Sequence, residues 1–433
     1  MPFWSFSQDN TPLSKALKKW VKNPKSEVSA EFEKGSDNEV KYEFESKLIC
    51  EALEIILSQL EVSINEKIEK NIFNLAALFQ NVSTKEAAAY LNDKGIPLLI
   101  GILDTIKSKQ YELESFSSPE TMILKMLAIY HNKEGLNKLS DLINNNFRSD
   151  AYLWSIILNA VTEDESKYNL IIQGLGGKIP ADFLGICYLD MCNSIAIKTS
   201  TFKHPFNTQN GFAFLDNIVK NSKEDEESHV VSATASIPFL SKEYQDELLK
   251  SICNYKSVDI QMEAAWAGAK IGKNESIDKL VDFATNYRYS VKATSYLDEL
   301  QLTHKIPEDI LTPDFQALSE MCSWLSHPNE FGSYPDHAEV FDKRTLYWPP
   351  TGDTRIIYLI KYTYKNHKDD GSDDVGIGLV GSVTFSLFSL ENMLELKPAE
   401  LLAIHCNWEL ERENYQDIKS GIALLKKHNK DFE

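Results

Sequence analysis

The sequence predicts a mainly α-helical protein, an α-solenoid of stacked helix pairs followed by a small α+β domain with an antiparallel sheet. A short helical motif recurs at Ala233, Ala264 and Ala293, in steps of 31 and 29 residues, and periods of this size are typical of solenoids. Apolar residues recur at helical spacing over residues 46–312, as they do on amphipathic helices. Beyond about residue 330 the pattern changes to the two-residue alternation of strands.

These patterns divide the chain into three segments. Residues 1–45 read as a loosely ordered lead-in with one short basic amphipathic stretch around Leu17 and Trp20. Residues 46–312 form the predicted solenoid, and residues 313–433 the predicted α+β domain.

Turn-forming residues set the predicted helix boundaries in the solenoid. Pro97 follows Gly95-Ile96 at one helix start, and Ser118-Pro119-Glu120 marks another. The run Gly174–Gly177 separates two helices, and Pro180 opens the next.

The best-defined repeat is the middle one, and residues Asp259 to Gly272 carry the pattern of its first helix. Ser257 or Asp259 can cap its first helix through a side-chain oxygen, and Gly272 suits the left-handed position that ends it. The pattern Asp-x-x-x-Glu-Ala-Ala-x-Ala-x-x-x-Ile-Gly resembles the HEAT-repeat family, in particular the HEAT-like repeats first described in phycobilin lyases. The chain departs from that pattern at Gln261-Met262, and the clear resemblance covers residues 228–300. It implies a scaffold, since the family mostly binds proteins, and in some members nucleic acid or a chromophore.

Alternating apolar residues predict three antiparallel strands in the C-terminal segment, followed by two helices. The strands are expected at 338–347, 355–364 and 375–387, with a hairpin loop at 366–374, a helix starting at Pro398 and a last helix at 418–427. This segment is also similar to a region of uncharacterised bacterial HEAT-repeat proteins, a resemblance that implies no activity.

The chain is acidic, with a net charge of −19. Such a surface repels phosphate backbones and anionic lipids, so we expect a protein partner with a basic patch, no nucleic acid and no membrane. The solenoid lysines that could bind nucleic acid are diluted by acidic neighbours: Lys242, Lys250, Lys256, Lys270, Lys273 and Lys279.

Other sequence features indicate a cytoplasmic protein without cofactor or metal. The most apolar long segment, Ile179–Ile197, is interrupted by Asp182 and Asp190, and a membrane span needs roughly 20 apolar residues. The N-terminus carries no basic region followed by an apolar run. The six cysteines form no Cys-x-x-Cys pair, which favours free buried thiols in a reducing compartment.

Three motifs resemble ligand sites but fit structural roles better. Residues Gly376–Gly381 spell G-x-G-x-x-G, but the residues that follow are predicted to continue as a strand, whereas a dinucleotide site needs a helix there. The acidic run Asp369–Asp374 lacks the spacing of a calcium loop and suits an exposed hairpin tip. Gly174–Lys178 lacks both the first glycine and the Ser or Thr of a P-loop.

His405 and Cys406 are adjacent, so on a helix their side chains point about 100° apart and do not form a nucleophile–base pair. His405 shares the apolar face of Leu401 and Ile404, which favours a buried structural histidine. No catalytic signature occurs in the sequence, and we expect no catalytic residue.

The segment from Trp324 to Pro350 combines aromatic residues with irregular, Pro-containing backbone. These aromatics either form a recognition surface or cap the end of the solenoid; capping is favoured, and the two roles can coexist. The residues expected to contact a partner are Trp324, His327, Glu330, Tyr347, Trp348 and Arg355.

The function expected from the sequence is therefore a non-enzymatic scaffold that binds a protein partner along the solenoid. The alternative is a small-molecule-binding or catalytic C-terminal domain, for which the solenoid would act as the recruiting module. This alternative requires a pocket where His327, Glu330, Arg355 and His405 converge.

Overall fold

A computed structural model describes residues 11–32, 38–62, 64–108, 118–253, 255–383, 385 and 392–432. The chain divides into two compact units, the first ending at Ser251 and the second beginning at Ile252. The predicted fold class is confirmed, because the chain is mainly helical and its C-terminal part adds a three-stranded antiparallel sheet.

The first unit is built of helices. Their bounds are α1 Pro12–Lys22, α2 Glu43–Val62, α3 Glu66–Ala77, α4 Lys85–Tyr90, α5 Ile96–Ser108, α6 Pro119–Ile129, α7 Lys133–Asn144, α8 Leu153–Asn159, α9 Glu165–Leu175, α10 Asp182–Lys198, α11 Gln209–Asn221, α12 Glu227–Ala235 and α13 Lys242–Ile252. A turn of π-helix, Leu91–Gly95, joins α4 to α5.

Helices of the first unit pack in two rows. The first row contains α3, α6, α8, α10 and α12 side by side, and the second contains α2, α5, α7 and α9. Neighbours along the chain, such as α2 with α3 and α6 with α7, pack across the rows. This alternation is the packing expected of stacked helix pairs, each of which buries its apolar face against the next.

The described part of the predicted lead-in is ordered, which corrects the expectation for residues 1–45. Helix α1 buries Leu13, Leu17 and Trp20 while packing against α2. The Trp20 indole N–H donates to the Ser26 carbonyl at 2.9 Å. The amphipathic stretch thus becomes part of the core; residues 1–10 and 33–37 lie outside the described residues.

The second unit begins with helices and ends with the sheet and its flanking helices. Its elements are α14 Val258–Lys270, α15 Asn274–Ala284, α16 Ser290–Glu299, α17 Pro313–Leu325, β1 His337–Trp348, β2 Asp353–Tyr364, β3 Asp374–Val380, α18 Pro398–Glu409 and α19 Ile418–His428. The strands pair in the order β1-β2-β3, with one bulge between Val340 and Asp342.

Both faces of the sheet are covered. One face, which includes Ile357 and Leu359, packs against α18 and α19. The other, which includes Tyr358, Ile360 and Tyr362, packs against α17. The predicted alternation of β2 therefore sorts its side chains between two cores rather than between core and solvent.

The division between the units differs from the predicted boundary at residues 312 and 313. Tyr287, which lies between α15 and α16, packs on the core between α17 and the sheet, and its hydroxyl accepts a 3.4 Å hydrogen bond from the Ala338 amide. Helices α14 to α16 therefore belong to the same compact unit as the sheet.

The predicted helical recurrence is present as helices α12, α14 and α16, which start at Glu227, Val258 and Ser290. Side chains link α14 to α16 at a constant separation of 33 residues: Asp259 to Lys292, Glu263 to Tyr296, and Trp266 to Glu299. Burial raises the pKa of Glu263, and the hydrogen bond from Tyr296 opposes that shift.

The third strand is shorter than predicted. It ends at Val380, because Gly381 has a φ of +97° and turns the chain away from the ladder. The predicted continuation through Val383 is wrong, and that side chain is 63% exposed; residues 384 and 386–391 lie outside the described residues. A side chain at Gly376 would collide with Tyr362 at 2.2 Å, so this glycine of the G-x-G-x-x-G run serves close packing.

Candidate interaction face

Trp348, expected to contact a partner, is a core residue of the second unit. Its side chain is fully buried, and its indole N–H donates to Glu409 Oε2 at 2.7 Å. Because it offers no surface, Trp348 leaves the set of contact candidates.

Three further candidates are engaged in structural contacts. Tyr347 stacks on His428 with ring centroids 4.8 Å apart, and half-buried Trp324 stacks on Phe385 at 5.4 Å. Arg355 forms an ion pair with Asp353 at 2.9 Å and donates to the Gly381 carbonyl at 3.2 Å. These contacts hold the sheet and its loops together.

His327 and Glu330 are exposed in the turn after α17, and they do not meet the other two polar candidates. Their neighbour Phe331 stacks on Tyr364, at the end of β2, whereas Arg355 lies near its start. The nine residues from Arg355 to Tyr364 span about 30 Å of strand. The pocket required by the alternative function is not formed by these four residues.

His405 is buried, as the sequence predicted, and it belongs to a polar cluster of the core. Its Nε2 lies 3.1 Å from Ser382 Oγ and 3.2 Å from Glu409 Oε1. A Ser–His–acid triad needs the hydroxyl and the carboxylate on opposite ring nitrogens, but here both approach Nε2. The geometry is that of a structural cluster, not of an activated nucleophile.

The Glu409 carboxylate is the centre of this cluster. Burial alone would raise its pKa, but hydrogen bonds from His405, Ser382 and Trp348 outweigh burial and hold the pKa at about 2. Glu409 is therefore ionised at neutral pH, and it links Ser382 and Trp348 to α18, the helix that also carries His405.

The first row of helices exposes aromatic rings that no sequence pattern had indicated. Tyr152, just before α8, is 56% exposed and stacks on Phe183 of α10 at 6.3 Å. Phe183 in turn lies 5.8 Å from the ring of His229 on α12. The three rings form a continuous line across three neighbouring helices.

Helix α10 carries the middle of this surface. It is buried over most of its circumference and exposes a narrow stripe that contains Phe183, Asp190 and Ile197. Spacings of seven residues place these side chains on one face, two helical turns apart. On α8, Ile156 follows Tyr152 by one turn and is 42% exposed. We define the α10 face as Tyr152, Ile156, Phe183, Asp190, Ile197 and His229.

The charge around the rings is acidic. Asp190 is exposed and bonds to Ser232 of α12; desolvation by its neighbours raises the pKa of Asp190, and the hydrogen bond from Ser232 opposes that shift. Asp182 is exposed and accepts from Ser149 Oγ at 2.6 Å. Aromatic rings beside carboxylates attract guanidinium and ammonium groups, since the ring faces and the carboxylates are both negative.

One signal in the sequence points to this face. Asp190 interrupts the most apolar segment of the chain, and a carboxylate in such a segment must reach solvent or a partner. The aromatic line could not be found from sequence, because its rings come from residues 31 and 46 positions apart.

Searches of protein-family models, curated sequences and solved structures find nothing that matches this chain. Within the described residues, no helix is both long and apolar enough to cross a membrane. The same residues contain no group of three or more His, Cys, Asp or Glu side chains arranged to hold a metal ion.

Proposed function

We propose that the protein is an interaction scaffold that binds an arginine- or lysine-containing segment of a partner protein on the α10 face. The observation that carries the proposal is the line of rings formed by Tyr152, Phe183 and His229 across three helices. The side-by-side packing of the first-row helices supports it, because stacked helix pairs present extended surfaces to partners.

Three exposed apolar residues of the first unit lie on the α10 face: Tyr152, Ile156 and Ile197, each with at least 42% exposure. Val62, at the end of α2, is exposed elsewhere in the unit. Single exposed apolar side chains need no explanation, but contiguous ones mark binding surfaces. Such residues become the buried centre of an interface, where aromatic side chains contribute most of the affinity.

Charge selects the partner. The net charge of −19 attracts basic segments over distances of about 10 Å at moderate salt. Close to the face, the rings of Tyr152 and Phe183 can receive the cationic plane of one guanidinium, and Asp190, two helical turns away, can accept from a second basic group of the segment. The binding is expected to weaken as salt concentration rises.

The test uses a fluorescent peptide of Arg, Leu and Ala, with a Glu-for-Arg peptide as the charge control. We expect Tyr152→Ala to weaken binding of the Arg peptide about tenfold, the loss typical of an aromatic anchor. Tyr244→Ala is the matched control, because Tyr244 also stacks on a ring, that of Phe212, but lies outside the α10 face. Asp190→Asn is likewise compared with Asp141→Asn on α7.

Equal losses for Tyr152→Ala and Tyr244→Ala would show that the peptide does not use the α10 face. Binding of the Glu peptide as tightly as the Arg peptide would remove the charge argument. Both measurements are made at low and at high salt, so that diffuse attraction to the acidic chain is separated from site binding.

A further inference from the structure

We infer that the first unit also binds a small amphipathic carboxylate, one that joins an apolar group to an N–H or O–H donor. The site is a groove of about 670 Å³ between α4 and the end of α6. Its size falls in the range of small-molecule sites, about 300–1,000 Å³. It is separate from the α10 face, and it does not depend on the proposed scaffold function.

The floor of the groove is apolar and rigid. Phe79 and Tyr130 are buried and line it, and their rings meet edge to face at 5.5 Å. The Tyr130 hydroxyl donates to the Phe79 carbonyl at 2.9 Å, which fixes both residues. The small side chains of Ala88 and Ala89 leave the opposite wall open. A preformed apolar floor of this kind binds an apolar group without an ordering cost.

A π-helical turn shapes one end of the groove. In Leu91–Gly95 the helix widens, and the Ile96 amide donates to the Leu91 carbonyl, a step of five residues. Gly95 allows the turn to press on Phe79, since a side chain there would come within 2.6 Å of its ring. Turns of π-helix are rare and occur frequently at functional sites.

This turn places Asn92 on the wall of the groove. The Asn92 carbonyl accepts from Asn132 Nδ2 at 2.6 Å, but among the described residues no donor reaches its side-chain Oδ1, which is buried. An unsatisfied buried amide oxygen is costly. Because Asn92 lines the groove, rotation about its Cβ–Cγ bond is the movement that would present this oxygen to a ligand N–H or O–H.

The groove also carries positive charge within an acidic chain. Lys85 lies on its rim, seven residues from Asn92 on the same helical stripe, and forms no ion pair with the described residues. Lys125 lies close by, with its Nζ 3.0 Å from Oε1 of the lining residue Gln80. Among the described residues that line the groove, no side chain is acidic. This arrangement selects a carboxylate over a neutral or cationic ligand.

N-acetyl-phenylalanine combines the three features, and it is the probe for a test by saturation-transfer NMR and titration calorimetry. The amide of N-acetyl-phenylalanine lacks the carboxylate, and 3-phenylpropionate lacks the N–H donor. We expect saturable binding of N-acetyl-phenylalanine and weaker binding of both analogues.

Two variants locate the site. Ala89→Phe fills the groove from an exposed helix position and should abolish binding, with circular dichroism confirming the fold. Lys85→Gln should weaken binding about threefold, as expected for an exposed ion pair. Lys220→Gln makes the same charge change at a residue of α11 that pairs with Asp216 and does not line the groove, so it should have no effect.

If N-acetyl-phenylalanine shows no saturable binding, or binds Ala89→Phe unchanged, the proposed site is wrong. Equal affinity for the acid and its amide, or equal effects of Lys85→Gln and Lys220→Gln, would contradict the choice of a carboxylate. None of these results depends on whether the α10 face binds a basic peptide.

Discussion

A buried aromatic cluster in the second unit and an exposed one in the first show two uses of aromatic residues. In the second unit Trp348, Tyr358 and Tyr362 are buried on the two faces of the sheet. In the first unit Tyr152 and Phe183 stack across neighbouring helices at the surface. An aromatic-rich segment therefore indicates a binding surface only where its neighbours fail to bury its rings; the second unit also leaves Phe341, Trp408 and Tyr415 partly exposed.

The largest expected difference between a buried and an exposed aromatic residue concerns the stability effect of replacing Trp348. Trp348→Ala should lower the free energy of unfolding of the second unit by about 3–5 kcal/mol, the usual cost of a cavity left by a large buried ring. The measurement is hydrogen exchange of β1 and β2 amides. Trp408→Ala is the control, because Trp408 also contacts His405 but is 44% exposed; an equal loss there would contradict the contrast.

The pH dependence of stability caused by His204 gives a second test of the first unit. It is buried in the first unit, with Nε2 3.1 Å from Asn193 Oδ1, and burial lowers its pKa to about 4. Because the unfolded chain takes up this proton near pH 6.5, the stabilisation present above that pH is lost as pH falls toward 4. The expected loss in the free energy of unfolding is roughly 3 kcal/mol. It is measured from the midpoints of urea unfolding, followed by the circular dichroism of the α-helices.

His204→Gln should flatten this pH dependence between pH 6.5 and 4, relative to the unaltered protein. An unchanged slope in His204→Gln would show that other groups carry the transition.

The corresponding prediction for the second unit concerns the stability that Glu409 contributes, which changes at a lower pH. Its pKa of about 2 lies below the ordinary value of 4.5, so its stabilisation is present above pH 4.5 and is lost as pH falls toward 2. Glu409→Gln should remove on the order of 2–3 kcal/mol at pH 7 and little at pH 2. Hydrogen exchange of the strands at pH 7 compares this variant with Glu330→Gln, whose side chain is exposed.

How far the sequence predicted these features depends on the range of the interactions. Alternation placed β2 within two residues of its ends, and Pro398 correctly opened α18, because both signals are local. The end of β3 was missed, since Gly381 approaches the Ile356 carbonyl of the neighbouring strand. The interaction face was missed for the same reason, as stacking between Tyr152 and Phe183 depends on how separate helices pack.

The smallest expected effect concerns stability at the α10 face. Tyr152→Ala should change the free energy of unfolding by no more than about 0.5 kcal/mol, as is usual at the surface, while its effect on peptide affinity remains large. A loss as great as that of Trp348→Ala would show that Tyr152 is a structural residue. Thermal unfolding of the two variants side by side makes the comparison.

The central claim is that partners bind the first unit and not the sheet. Hydrogen exchange with mass spectrometry, with and without the Arg peptide, tests it most directly. We predict protection in residues 149–160, 182–198 and 227–235, and none in residues 337–364. Protection confined to residues 337–364, with the first-row helices unchanged, would contradict the account.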